Sequence, residues 1–79
     1  MNNKEYFEKL SSYPHEYKFY VQDEEKIDFI KELSTVGDMV KHLREDVAKY
    51  TEKKVFVNNK EASGLEERMI NEEKAVVLF

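Results

Sequence analysis

The run Ala75-Val76-Val77-Leu78-Phe79 contains no polar residue, and it constrains the fold of this chain more than any other segment. A strand with one face in water alternates apolar and polar residues, whereas an unbroken apolar run must be covered on both sides. It therefore belongs in the middle of a sheet. A short buried helix has the same composition, but the β-branched Val76 and Val77 favour a strand. The rest of the chain has to supply neighbours for this strand and a layer over it.

Upstream, the apolar spacing changes several times. Tyr6, Phe7 and Leu10 fall at helical spacing among Lys4, Glu5, Glu8 and Lys9, which predicts a short amphipathic helix over 3–12, ended by Ser11, Ser12 and Pro14. From Glu16 the period becomes two, with Tyr17, Phe19 and Val21 opposed to Lys18, Tyr20 and Gln22. The acidic group Asp23-Glu24-Glu25-Lys26 makes a turn. A second alternating run follows, Ile27, Phe29, Lys31 and Leu33 against Asp28, Ile30 and Glu32, so an antiparallel hairpin is expected.

Ser34 and Thr35 stand where a helix N-cap belongs, with Asp38 in the first turn to meet free backbone N–H groups. Val36, Met39, Val40, Leu43 and Val47 then form one apolar stripe, and Lys41, His42, Arg44 and Glu45 lie opposite, which predicts a helix over 36–50. Lys54-Val55-Phe56-Val57 reads as a strand, Asn58-Asn59 as a tight turn and Lys60-Glu61-Ala62-Ser63 as a short return broken by Gly64. Residues 65–70 show no period, and Asn71-Glu72-Glu73 is a turn.

These elements give an α+β fold of ββαββ order with a mixed sheet and one main helix, preceded by a short N-terminal helix. The closing strand should lie parallel to the first and between the first and third strands, where burial is greatest. That is the arrangement of the ubiquitin-like β-grasp. No internal repeat or linker divides the chain, so residues 1–79 are expected to form one domain, with 1–14 as a helical extension and 16–79 as the core.

Composition excludes several functions. Among 79 residues, 17 acidic against 13 basic side chains give a net charge of −4, which argues against nucleic-acid and anionic-membrane partners. No apolar run approaches the roughly 20 residues of a membrane helix, and early acidic residues do not suit a signal peptide. The absence of cysteine removes disulfides, zinc-thiolate sites and thiol nucleophiles, and suits a reducing cytoplasm.

Three stretches resemble the small sulfur-carrier proteins of the MoaD and ThiS type. Ser34-Thr35-Val36-Gly37-Asp38-Met39-Val40-Lys41-His42-Leu43-Arg44-Glu45 is similar to that family's Thr-Val-Gly-Asp helix entry. Val55-Phe56-Val57-Asn58-Asn59-Lys60-Glu61 is similar to its Val-x-Val-Asn-Gly-Lys hairpin, and Glu72 to Phe79 to its closing strand. The resemblance spans about residues 17–79 and implies the β-grasp and a habit of binding partner proteins. The family's chemistry uses a C-terminal Gly-Gly tail. The only glycines here are Gly37 and Gly64, so no residue of this sequence takes the sulfur-carrying role, which returns only if the native C-terminus is longer.

If Tyr17, Phe19, Val21, Ile27 and Phe29 face the helix, then Tyr20, Ile30, Phe56, Val77 and Phe79 fall on the outer sheet face and form an apolar partner-binding patch. The competing expectation is that the N-terminal helix covers that face with Tyr6, Phe7 and Leu10. His15 and His42 lack metal-motif spacing. Asp23-Glu24-Glu25 and Glu72-Glu73 read as solvated turns, and Ser11, Ser12, Ser34 and Ser63 have no base set beside them by the sequence. No catalytic residue, cofactor or metal site is assigned.

The chain therefore reads as a non-catalytic interaction module for another protein, a monomer or weak homodimer. The alternative is a small acidic inhibitor of a larger enzyme, of the kind mobile elements encode.

Overall fold

The computed structural model describes residues 1–23, 26–29, 35–57 and 59–79. The elements in chain order are α1 (Asn3–Ser11), β1 (Lys18–Asp23), β2 (Lys26–Phe29), α2 (Val36–Lys49), β3 (Phe56–Val57), β4 (Lys60–Glu61), β5 (Leu65–Ile70) and β6 (Glu73–Leu78). Together they make a small α+β domain whose two helices and mixed sheet are compatible with a β-grasp-like fold.

The apolar run takes the central place its composition demands. The sheet order is β2-β1-β6-β5, with β6 parallel to β1 and antiparallel to β5. The parallel partner is as expected, but the other neighbour is not. β5, from the stretch without a period, occupies the position expected for the strand at 54–57, and β3 pairs only with β4 in a separate two-stranded sheet. A tight turn decides this. Ile70 stands opposite Glu73, so Asn71 and Glu72 form a two-residue loop, and both have positive φ, 51° and 67°. Two positive φ values are the mark of the type I′ turn, whose twist matches that of the flanking strands and holds β5 beside β6.

An asparagine tolerates that backbone, whereas a glutamate is strained there by about 1–2 kcal/mol. Glu72→Gly is therefore expected to stabilise the chain by about 0.5–1 kcal/mol after the glycine's extra unfolded-state entropy is subtracted. Urea denaturation would check it, and a loss of stability would exclude the strained turn.

The first hairpin is also tighter than expected. Asp23 stands opposite Lys26. This register pairs odd-numbered residues of β1 with even-numbered residues of β2. Phe29 accordingly stands opposite Tyr20 and Ile27 opposite Gln22, not level with Phe19 and Val21. The expected register, with Ile27 and Phe29 in step with Phe19 and Val21, is corrected accordingly.

α2 starts where its cap predicts. The Thr35 hydroxyl accepts from the Asp38 N–H at 3.1 Å, the Val36 N–H donates to Tyr17 O at 2.8 Å, and the Gly37 N–H donates to His15 O at 3.0 Å. The otherwise unsatisfied first-turn donors of the helix are thus tied to the segment leading into β1. That closeness suits a glycine, because a Cβ at residue 37 would lie a crowded 3.1 Å from His15 Cβ. Val36, Met39, Val40 and Leu43 are buried, and Val47 is half-buried.

α1 lies beside α2 on the same face of the sheet, not on the opposite one. Its Tyr6 and Leu10 join Phe19, Val36, Met39, Val40, Leu43, Val76 and Leu78 in a single core, with the Tyr6 and Phe19 rings 6.4 Å apart. Asn2 caps it by accepting from the Glu5 N–H. The start of the chain is bound too. The Asn3 amide side chain donates to Tyr50 O at 3.0 Å, the Val55 N–H donates to Met1 O at 2.9 Å, and the Met1 amino group lies 2.9 Å from Glu61. The hydrogen bond from that amino group, with Lys54 alongside, holds the Glu61 carboxyl below the usual range.

Candidate protein-binding surface

Alternation along the central strands fixes two faces. Phe19, Val76 and Leu78 point into the helix-covered core, whereas Tyr20, Ala75 and Val77 form a second, smaller cluster on the opposite face with half-buried Ile70 beside it. Among the described residues that cluster is made of sheet residues alone. Tyr20 and Val77 stand opposite each other across the parallel ladder.

They do not form an open patch. Val77 has 0% of its surface exposed and Tyr20 only 9%. Among the described residues, polar side chains of the sheet itself lie across them. Arg68 on β5 donates from Nη1 to Gln22 Oε1 on β1 at 2.6 Å, and its Nε donates to Glu66 Oε2 at 2.8 Å. A side chain that reaches from β5 to β1 must cross the strand between them. The β6 residue between Glu66 and Tyr20 is Val77. The guanidinium with its two partners therefore straps over the apolar centre, and the aliphatic stem of Arg68 supplies apolar cover on the way. The expectation that Tyr20 and Val77 belong to an exposed apolar patch is corrected accordingly.

The remaining expected residues are dispersed. Phe56 belongs to the two-stranded sheet, not to the outer face of the main one, and its ring is 56% exposed. Phe79 is 38% exposed, with its ring edge over Gly64 and its backbone paired to Gly64 in both directions. Ile30 lies outside the described residues, as do Glu24, Glu25, Ser34 and Asn58.

Phe56 is directed outward by its neighbours. Its neighbours Val55 and Val57 are both buried in the main core, with Ala62 from the returning segment, so alternation turns the ring between them outward. The sequence reading passed over two other exposed apolar side chains, Tyr50 and Met69. Tyr50 ends α2 and has Lys53 Nζ 5.8 Å from its ring centroid. Met69 sits near the tip of the β5–β6 hairpin. Neither carries a periodicity signal, because both stand at the ends of elements.

The groups with chemical potential are occupied structurally. The Ser11 and Ser12 hydroxyls donate to Phe7 O and Lys9 O at the end of α1. Glu73 pairs with Lys18 at 2.9 Å on the surface, and the hydrogen bond raises the Lys18 pKa. Burial pushes the Tyr6 phenol far above its ordinary range, so it stays neutral. Among the described residues no three His, Asp or Glu side chains gather to hold a metal ion, and no helix is long and apolar enough to cross a membrane.

No family model matches the chain, and no significant match was found among curated proteins or solved structures.

Proposed function

We propose that this chain is a non-catalytic, ubiquitin-like interaction module, related to the sulfur carriers, that docks on a larger protein in the cytoplasm. Three features support the ubiquitin-like reading: the central parallel pairing of β1 with β6, the hairpin on one side of it, and α2 across one face. The observation that carries the binding role is Phe56, a large exposed ring fixed between two buried valines. An aromatic side chain has only two torsions to fix and so loses little entropy when a partner desolvates it, which is the property of an interface anchor. Phe79 is a second exposed aromatic, and Tyr20 reaches a partner only if the strap formed by Arg68 moves aside.

Phe56→Asp is expected to abolish capture of the partner in a comparison of wild-type and variant baits, while the circular dichroism spectrum is unchanged. Retained capture by the folded variant would overturn the assignment. Contact through Phe56 should persist at high salt, whereas docking of an acidic inhibitor on a basic enzyme surface should weaken steeply as salt rises.

A further inference from the structure

β5 ends the sheet, and its hydrogen-bonding pattern shows what it offers. Gly64 and Phe79 exchange both backbone bonds, at 3.0 and 3.2 Å, so by alternation the N–H and C=O groups of Glu66, Arg68 and Ile70 also turn toward β6. Those of Leu65, Glu67 and Met69 turn away from the sheet, and among the described residues none of them meets a backbone partner outside the strand. An open edge of this kind is a template for another strand. The same stretch carries Met69, at 64% the most exposed large apolar side chain among the described residues.

The residue order across this edge is self-complementary in one register. Antiparallel pairing of β5 with β5 of a second copy, with Glu67 on the two-fold axis, matches the outward groups of Leu65, Glu67 and Met69 with those of Met69, Glu67 and Leu65. It sets Glu66 opposite Arg68 of the second copy, twice, at positions where side chains approach closely once each guanidinium turns from Gln22 toward the edge, and it covers each Met69 with Leu65. Neighbouring registers that use the same outward groups place Arg68 opposite Arg68 or Glu66 opposite Glu66. The cost of the favoured register is one like-charge contact, Glu67 against Glu67.

We propose that two copies of this chain associate edge to edge through β5 in that register, joining their sheets into one, with the Glu67 repulsion keeping the association weak. This does not depend on the role given to Phe56, which lies in the other sheet.

Analytical ultracentrifugation of the full chain, from micromolar to millimolar concentration, tests it. A monomer–dimer equilibrium is expected, tightened several-fold by Glu67→Gln. Arg68→Glu should weaken it about tenfold or more, and the exchange Glu66→Arg with Arg68→Glu should restore it, since the exchange also preserves the pair within each chain. Glu67→Pro removes an N–H that faces away from β6, so it should abolish the dimer while the monomer folds. Should that variant unfold, amide exchange of Glu67 and Met69 in the wild type gives the same information, because both should slow as concentration rises. A chain that stays monomeric at millimolar concentration overturns the proposal. So does a dimer indifferent to the charge exchange, or a β5 edge that takes only a strand of a different protein.

Discussion

Phe19→Ala is expected to remove most of the stability of this chain. The ring is fully buried, touches the Tyr6 ring, and stands on β1 directly opposite Val76 at the centre of the parallel ladder. Truncating a buried Phe costs about 3–5 kcal/mol, because the cavity adds to the lost transfer energy. A chain of this length holds only about 4–12 kcal/mol in total. The melting temperature by circular dichroism should therefore fall by about 20 °C or more. A fall of only a few degrees would mean that the core collapses around the gap, contrary to the tight packing of its walls.

Leu10→Ala is expected to cost about 2–5 kcal/mol, although it lies in what the sequence presents as an extension to the β-grasp. Leu10 has no exposed surface and packs among α2 and sheet residues. The control is Phe7→Ala on the same helix, where the half-buried ring should cost much less. Equal and small effects in urea denaturation would show α1 to be dispensable. Unequal ones make it a second layer element shared with α2.

The sequence was most legible where one local signal sufficed. Thr35 and Asp38 locate the start of α2, its apolar stripe gives the buried face, and the run at 75–78 gives a central strand parallel to β1. It was least legible where a strand owes its place to its neighbours. Leu65-Glu66-Glu67-Arg68-Met69-Ile70 shows no alternation because it is an edge, with Leu65 half-buried against the core and Glu67 and Met69 beyond the cover of the helices. Its pairing is imposed by a turn at Asn71–Glu72 that lacks the usual glycine. The register of β2 was misjudged because Asp23 pairs directly with Lys26, which reverses the parity of pairing, and the composition of 23–26 does not reveal that.

The outer face followed the same pattern. Alternation placed Tyr20 and Val77 on one face, but Arg68, five elements after Tyr20 in the chain, crosses over them. Arg68, Glu66 and Gln22 look like ordinary surface residues until the sheet order brings β5 and β1 to either side of β6.

The parallel ladder also bears on how the chain reaches this fold. It joins Lys18 to Ala75, residues 57 positions apart (75 − 18), whereas α2 and the β5–β6 hairpin are closed by near neighbours. The local pieces can form within microseconds, but docking of β6 on β1 must close most of the chain and makes the fold slower than a helical bundle of the same length. During that interval Val76, Val77 and Leu78 lie on an unpaired strand edge, so refolding is a race between intramolecular docking and contact with other chains, and dilution favours the first.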